Sequence, residues 1–409
     1  MKIKSAILLF GIAANAAAMT TVTDFGAKGD GVTDDTAAIQ ALLDSGTSCV
    51  YLPPPKDHYV ISKTLKIGSN QELRLDRMTR VRLAAKSDCP LLENRAYVAG
   101  NGTNANIVIT GGIWDMDNLR QSPNPQQTPE GRKNFPTVHN PDFFFGMAMR
   151  FCHIKGLTIS GVTIRNPTSY GIELGHVSYF LAQDIAFDYK TWNPIPLNMD
   201  GVHCDGFCHH GKIMNLRGTC YDDLVALNAN DGSCSPEEGP ITDIDIDGLY
   251  ADYCHSAVRI LSAGADAKRI TIRNVHGHFY CYTVGLTHYF PQKPRGRFDD
   301  IVIEDVFASK ALVPPECGGQ SYRGPMEIVH LQGPIDVGNL TVSRLYRDES
   351  CLPTATIGVD PAATVETLTV RDSRMVNRLE KPIKFLDNRG KIEKLVQENI
   401  VFRGKREGK

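Results

Sequence analysis

A run of alternating apolar residues recurs along this chain and is the feature that most constrains its fold. Two clear copies are Ile270-Thr-Ile272-Arg-Asn-Val275 and Ile301-Val-Ile303-Glu-Asp-Val306. Alternation with a period of two places the apolar side chains on one face of a β-strand. Many copies are followed by Gly, Asn or Asp and one more apolar residue. Further copies lie at residues 157–162, 184–187, 213–216, 244–249, 340–345, 368–370 and 395–401.

The spacing of these copies predicts an all-β solenoid built from parallel strands. Counted between their last apolar residues, Leu249 and Val275 are 26 residues apart, and Val275 and Val306 are 31 apart. A fixed core pattern with variable spacing is typical of stacked coils whose strands stay constant while their turns grow. An antiparallel sandwich would instead need hairpin turns such as Asn-Gly between the runs. Such turns are scarce in this chain.

The N-terminus has the features of an export signal. Lys2 and Lys4 precede a short apolar stretch at residues 6–14, and small residues follow it. This stretch is too short to span a bilayer. We therefore expect a cleaved signal peptide at residues 1–18, one β-helix domain at residues 19–409, and a secreted or periplasmic protein.

Charge and hydropathy exclude two classes of partner. The chain has 44 Lys and Arg residues against 46 Asp and Glu residues, with a net charge of −2. Such a balance argues against a nucleic-acid binder held by phosphate contacts. After the N-terminal stretch there is no long apolar run of the kind that crosses a membrane.

The 11 Cys residues are scattered and odd in number, so they do not form a disulfide framework. The oligomeric state stays open.

Residues 22–43 predict a cap for one end of the solenoid. A Gly-rich turn leads to Asp34, Asp35 or Thr36 as a helix N-cap, and a short amphipathic helix follows. Such a helix covers the apolar end of a coil. The segment resembles the opening of many secreted right-handed β-helix proteins that act on pectin and related polysaccharides.

Residues 118–142 are rich in Pro and polar residues, so we expect a long loop there, on the substrate side.

Three carboxylates stand out within the repeat. Asp200 is followed after 22 residues by the doublet Asp222-Asp223, and both sites open a short apolar run. That interval is close to one coil, and stacked coils lie about 4.8 Å apart. The three carboxylates would then meet on one face of the coil. Such a cluster indicates paired acid and base chemistry.

Residues 198–261 resemble the core of the family 28 glycoside hydrolases, the polygalacturonases and rhamnogalacturonan hydrolases. Asn198-Met-Asp200 matches the family's Asn-x-Asp motif, and Asp222-Asp223 matches its Asp doublet one coil later. Arg259-Ile-Leu261 matches the Arg and Ile of its Arg-Ile-Lys motif, with Leu in place of Lys, and the family's Gly-His-Gly is absent.

This resemblance implies an inverting hydrolase of a pectin-like or other acidic or rhamnose-containing polysaccharide, with no cofactor. Asp222 would protonate the leaving oxygen, and Asp200 and Asp223 would hold and activate the water. Asn198 and Arg259 would bind substrate.

Histidines near these motifs are further candidates. His203 follows Asp200 closely, and His255 lies four residues before Arg259, near the place of the missing family histidine. We expect both to contact substrate. The ligand types in residues 203–210 suit zinc, but His203 and Cys204 are adjacent on a predicted strand and point to opposite faces. We therefore predict no metal site.

Two alternatives of different class stay open. The first is a polysaccharide lyase or uronate epimerase, in which carboxylates hold Ca²⁺ and a basic residue takes the proton beside the uronate carboxyl. Arg259 is the candidate base. The second is a non-catalytic, tailspike-like carbohydrate-binding solenoid, which would need aromatic platforms. Candidate platform residues are Tyr170, Tyr179, Tyr221, Tyr282 and Tyr289.

Overall fold

The computed structural model describes residues 20–98, 100–317 and 325–405, so the predicted signal peptide lies outside the described residues. Within those ranges, 28 strands pair in parallel, one coil upon the next. The first strands are β1 (Cys49–Leu52), β2 (Tyr59–Ile61), β3 (Leu65–Ile67), β4 (Gln71–Leu75), β5 (Arg80–Leu83), β6 (Leu92–Asn94), β7 (Asn104–Thr110), β8 (Ile113–Asp115), β9 (Met149–Ser160) and β10 (Thr163–Arg165). The middle strands are β11 (Ile172–Gln183), β12 (Ala186–Asp188), β13 (Val202–Asp205), β14 (His209–Thr219), β15 (Asp223–Asn228), β16 (Ile241–Cys254), β17 (Ser256–Leu261), β18 (Asp266–Phe279) and β19 (Val284–Thr287). The last strands are β20 (Gly296–Lys310), β21 (Val329–Gln332), β22 (Ile335–Glu349), β23 (Ile357–Val359), β24 (Thr364–Arg371), β25 (Arg374–Asn377), β26 (Leu386–Asn388), β27 (Lys391–Glu398) and β28 (Val401–Arg403).

The strands stack into three sheets around one apolar interior. One sheet, which we call the site face, contains β3, β6, the starts of β9 and β11, and then β13, β15, β17, β19, β21, β23 and β26. The longer strands bend and contribute to the two other sheets. The predicted right-handed parallel β-helix is confirmed.

The polar residue that ends many of the apolar runs forms a corner of the coil. Asn215, Asn274 and Asp305 have positive φ angles of 53°, 56° and 51°. Asn, Asp and Gly adopt this left-handed conformation more readily than other residues. The chain therefore turns from one sheet to the next at each of these positions, which explains the sequence pattern of alternating run, small polar residue and apolar residue.

The apolar residues of successive coils stack directly on one another. Ile246 pairs with Ile272, Ile272 pairs with Ile303, and Ile303 pairs with Val342. All four side chains are fully buried. Burial of this kind stabilises the fold by roughly 1.5–3 kcal/mol for each side chain, so the continuous column is a large part of what holds the coils together.

A helix covers the N-terminal end of the interior, as predicted. Helix α1 (Thr36–Asp44) buries Ile39, Leu42 and Leu43 against the first coil. Its N-cap is Asp35, whose carboxylate accepts backbone hydrogen bonds from Lys28 (2.6 Å) and Gly29 (3.0 Å) rather than from the helix. These bonds close the Gly-rich turn against the start of the helix.

The turns differ in length, and the long ones lie outside the coil. Val202 pairs with Val225, 23 residues later, whereas Val284 pairs with Val329, 45 residues later. The predicted 118–142 loop contains two short 3-10 turns and the single-turn helix α2 (Pro129–Lys133), which sequence periodicity had not indicated. No helix in the described ranges is long and apolar enough to cross a membrane.

We expect the interior column to be sensitive to the loss of side-chain volume. Ile272→Ala should lower the free energy of unfolding by about 2–5 kcal/mol, because it leaves a cavity between two coils. Thr271→Ala, on the outer face of the same strand, is the matched control and should change it by less than about 1 kcal/mol. Urea denaturation followed by circular dichroism measures both. Equal midpoints for the two variants would contradict the stacked core.

Candidate active site

The site face brings the predicted carboxylates together at the starts of neighbouring strands. Asp200 lies just before β13, and Asp222 lies just before β15, which Asp223 opens. The register, however, aligns Asp200 with Asp223 and not with Asp222. The Asp223 N–H donates to the Asp200 Oδ1 over 3.3 Å, and the Gly201 N–H donates to the Asp223 carbonyl over 2.9 Å. The coil is thus 23 residues long here, one more than the sequence interval of 22 suggested. The reason is that Asp222 is still in the turn, whereas Asp223 is the first residue of β15.

Five of the seven predicted site residues line one cavity of about 430 Å³. They are Asn198, Asp200, Asp222, His255 and Arg259. Asp223 and His203 lie behind this wall, and both are fully buried. A second cavity of about 270 Å³ adjoins the first, since Ser233 and Cys234 line both. Together they form a groove along the site face.

Asp222 is a carboxyl group that holds its proton near neutral pH. Burial raises its pKa to about 7, and the nearby charges of Asp200 and Asp223 add to the shift. The Nδ1 atom of His255 lies 3.5 Å from an Asp222 carboxylate oxygen. Asp222 is 5% exposed and lines the cavity, so the proton is accessible to a ligand there.

Asp223 behaves in the opposite way although it is the next residue. Burial opposes its ionisation, but the Arg259 guanidinium outweighs that effect and holds the pKa of Asp223 below its usual range. Arg259 Nε lies 2.9 Å from Asp223 Oδ2, and the Ser256 hydroxyl donates to Asp223 Oδ1. Below a pH of about 7 the doublet thus contains one neutral carboxyl group, Asp222, and one charged one, Asp223.

His203 supports Asp200 from behind. Its Nδ1 lies 2.5 Å from Asp200 Oδ2, and its ring stacks on Tyr170 with 4.0 Å between the ring centres. Burial opposes protonation of the ring, but the neighbouring carboxylates of Asp205 and Asp200 raise the pKa of His203 well above its usual range. The structure therefore places this predicted substrate-binding residue out of the cavity, where it orients a carboxylate.

The other predicted binding residues face the cavity. Arg259 donates from Nη1 to the Tyr289 hydroxyl over 2.7 Å, so one guanidinium group connects Asp223 with an aromatic wall. Asn198 accepts a hydrogen bond from the Gln127 side chain, which belongs to the predicted 118–142 loop. This contact confirms that the loop reaches the carboxylate side of the coil.

Sequence reasoning did not single out Asp231, which also lines the cavity. Burial raises its pKa to about 6, and the Asn228 side chain donates to it over 3.0 Å. Its only sequence signal is an Asp-Gly turn directly after β15. Tyr170, Tyr282 and Tyr289, which were candidate platform residues, line the same cavity, whereas Tyr179 is exposed elsewhere.

Asp222, Asp223 and His255 form a cluster of potential cation ligands. One ligand atom from each lies within 4.8 Å of the others. The ions that lyases of this kind use are Ca²⁺ ions, which take six to eight oxygen ligands. Here one of the three donors is an imidazole nitrogen, and Asp223 already interacts with Ser256 and Arg259. The residues present do not fit Ca²⁺.

Parts of the chain are similar in sequence to known proteins. A family model described as Rhamnogalacturonase A/epimerase, pectate lyase-like, matches residues 19–121. A mannuronan C5-epimerase of Azotobacter vinelandii is 31% identical over 100 residues, or 24% of this chain and 8% of the epimerase. Alginate lyase 7 of the same organism is 26% identical over 174 residues, or 41% of this chain and 17% of the lyase. The chain thus spans less than a fifth of the length of these two relatives.

Solved structures match over nearly the whole chain. The endo-xylogalacturonan hydrolase of Aspergillus tubingensis has a TM-score of 0.59 at 14% identity, covering 89% of this chain and 98% of its own. A surface adhesin of Streptococcus pneumoniae has a TM-score of 0.58 at 15% identity, covering 95% and 92%. An exopolygalacturonase of Thermotoga maritima has a TM-score of 0.57 at 15% identity, covering 95% and 92%. The chain has the pectate-lyase-like β-helix fold. The resemblance inferred from the sequence is confirmed at this level.

The opposed pKa shifts of the doublet predict opposite effects of two similar substitutions. Folded Asp222 keeps its proton up to a pH of about 7, whereas an unfolded aspartate loses it near 3.8. The native state binds more protons between these values, so wild-type stability falls as the pH rises through them. Asp222→Asn should remove this fall and, at pH 8, should be more stable than the wild type by on the order of 2–4 kcal/mol.

Asp223→Asn is the control and should act in the other direction. In the wild type, the lowered pKa of Asp223 stabilises the folded state at pH values above the pKa of an unfolded aspartate. This stabilisation is lost as the pH falls. The substitution also leaves Arg259 buried without its partner, so we expect a loss of about 3 kcal/mol or more at neutral pH. Urea denaturation from pH 4 to pH 8 separates the two variants. A wild-type pH profile for Asp222→Asn would show that Asp222 is not held in its neutral form.

Proposed function

We propose that this chain is a secreted or periplasmic glycoside hydrolase that cleaves a pectin-like or other acidic or rhamnose-containing polysaccharide with inversion. The observation that carries the proposal is the division of the aspartate doublet into a neutral Asp222 and an ionised Asp223 beside Asp200. Glycoside hydrolysis needs a carboxylic acid and a carboxylate in one site. Here the environment assigns the two states before any substrate is bound.

Asp222 and Asp200 each have a step in the reaction, and Asp223 holds the side chains beside them. Asp222 gives its proton to the glycosidic oxygen as the bond from that oxygen to the anomeric carbon breaks. A water molecule on the opposite face of the sugar loses a proton to a carboxylate, and its oxygen bonds to the anomeric carbon. Asp200 lines the cavity and is positioned to contact this water, while Asp223 fixes Arg259 and Ser256 beside it. Proton exchange with solvent then restores Asp222.

The groove supplies binding groups for a polymer. Tyr282 and Tyr289 offer aromatic surface, and the free donors of the Arg259 guanidinium face sugar hydroxyl or carboxylate groups. The adjoining cavity contains Arg150 and Lys66, both paired with Glu93. A groove of two connected cavities suits a chain of several sugars better than a single one.

The lyase or epimerase reading is the second candidate, and the names of the two curated relatives favour it. Its chemistry needs a base that takes a proton from carbon. The predicted candidate, Arg259, does not suit this role, since Asp223 raises its pKa well above its already high value although burial opposes the shift. Arginine stays protonated in proteins. The poor fit of the carboxylates to Ca²⁺ argues in the same direction.

A non-catalytic binding role is the third candidate, and the adhesin with the same fold illustrates it. The cavity tyrosines suit binding, but binding alone gives no reason to bury three carboxyl groups against each other. Such burial costs stability. Active sites are where opposed pKa shifts of this kind cluster, so the hydrolase accounts for more of what the site contains.

Substitutions at the three carboxylates test the hydrolase directly. Asp222→Asn should lower kcat by about 10²–10⁴-fold, because it removes the proton donor. Asp200→Asn and Asp223→Asn should fall by similar factors, and the losses should not multiply in the double variant because the residues act as one unit. Arg259→Ala should raise KM more than it lowers kcat if Arg259 only binds substrate. Wild-type rates for Asp222→Asn, with circular dichroism confirming the fold, would end the assignment.

The products distinguish hydrolysis from elimination. The protein should be incubated with polygalacturonate, rhamnogalacturonan and alginate, and both reducing ends and the ultraviolet absorbance of unsaturated uronates should be measured. A hydrolase produces reducing ends with no new absorbance, and Ca²⁺ added after chelation leaves its rate unchanged. New absorbance together with a rate that depends on added Ca²⁺ would favour the lyase. Unchanged polymers in every case, with binding retained, would favour the binding protein.

A further inference from the structure

Three potential metal ligands converge outside the carboxylate site. They are Cys152 and His153 on strand β9 and Glu237 in the turn between β15 and β16. His153 Nε2 lies 2.7 Å from Glu237 Oε1 and 3.8 Å from Cys152 Sγ. One ligand atom from each residue lies within 4.8 Å of the others. A thiol, an imidazole and a carboxylate are the donor types that zinc takes in proteins.

The other ring nitrogen of His153 determines what Nε2 can do. His153 Nδ1 lies 3.2 Å from the Ala96 carbonyl oxygen, which only accepts, so Nδ1 carries a hydrogen. The atom that faces the Glu237 carboxylate is then Nε2, whose lone pair is available to a cation placed between the two side chains. An N–H donated to a backbone carbonyl is also how metal-bound histidines are oriented.

The position of a third donor favours a cation over a single proton. On the neighbouring strands β11 and β13, Glu173 Oε1 and Asp205 Oδ2 are buried without a hydrogen-bond partner in the part of the chain that the structure describes. The Cys152 sulfur also faces His153, and a salt bridge between His153 and Glu237 alone would leave that third donor unexplained.

We propose that Cys152, His153 and Glu237 bind a zinc ion. The Cys152 thiol proton leaves to solvent as the sulfur coordinates the metal. The side chains of His153 and Glu237 are 13% and 21% exposed, so solvent reaches the group and water takes the fourth position. Three protein ligands with one water is a common arrangement for zinc.

The ion would hold a loop that belongs to the groove. Glu237 lies in residues 229–240, the same turn that places Asp231 and Cys234 in the cavity wall. The turn is also bonded to the coil through the Gly206 N–H, which donates to the Glu237 carbonyl over 3.0 Å. Zinc between Glu237 and β9 would add a second attachment on the side chain, and would fix the turn that carries Asp231.

Metal content and stability test the site without reference to activity. The full chain is stripped with dipicolinate, dialysed and titrated with ZnSO₄. We expect one zinc ion per chain by elemental analysis, and a melting temperature higher by about 5 °C at saturating zinc. Cys152→Ser and Glu237→Gln should each lose the shift. A wild type whose melting temperature and zinc content do not respond would mean that His153 and Glu237 form only a salt bridge.

Cobalt identifies the ligands. Co²⁺ in place of zinc should give a thiolate-to-metal charge-transfer band in the wild type, which Cys152→Ser abolishes. Cys351→Ser, at a partly exposed thiol outside the proposed site, is the control and should keep the band. His210→Ala removes one member of the exposed His209 and His210 pair, whose Nδ1 atoms lie 2.7 Å apart. Loss of binding in His210→Ala, or a cobalt spectrum without the thiolate band, would overturn the proposal even if the Cys152 and Glu237 variants failed to fold.

Discussion

The backbone ladder between coils is the constraint on which the rest of this structure depends. Parallel pairing fixes neighbouring coils at about 4.8 Å, so any residue on the site face has fixed neighbours one coil above and below. Asp200 and Asp223 are such neighbours: the Asp223 N–H donates to the Asp200 carboxylate, and the Asp223 carbonyl accepts a hydrogen bond from the Gly201 N–H. Two carboxylates held at this distance by the backbone cannot move apart to relieve their repulsion. The chemistry of the site follows from how the surrounding residues respond.

The response is a set of basic side chains placed next to the carboxylates. His203 lies behind Asp200, and Arg259 lies beside Asp223. Asp222 lies 3.5 Å from the His255 ring and is also influenced by Arg259, but burial and the neighbouring carboxylates outweigh both and raise its pKa to about 7. A neighbouring column of the site face contains Lys66, Glu93, Arg150, Glu173 and His203 in register, from the N-terminal side. Basic and acidic side chains alternate along this column, and burial raises the pKa of Glu173 to about 8. The ladder thus also places partners for buried carboxylates at fixed positions.

The sequence predicted the parts of the fold that repeat. Alternating residues such as Ile270 and Ile272 identified strands, and Asn274 after them proved to be a corner with positive φ. Short strands such as β3 and β6 were missed, since three residues are too few to show a period. The residues of the candidate site that the sequence singled out, such as Asp200, Asp222, Asp223 and Arg259, lie on strands or directly before them. The sequence interval of 22 residues aligned Asp200 with Asp222, whereas the structure aligns it with Asp223. The sequence of a turn does not show at which residue the next strand begins.

What the sequence did not reveal lies in the turns, where neither period nor register restricts the position of a side chain. Asp231 and Glu237 are examples: both belong to one turn, yet one lines the cavity and the other contacts His153, three coils earlier on the site face. In a solenoid the stacked strands provide the stability, and the turns can vary in length and sequence. A turn that contributes to a catalytic groove must therefore be fixed by its own side chains. In this protein the contact between Glu237 and His153 meets that requirement, and it does so with the donor atoms that a metal ion would use.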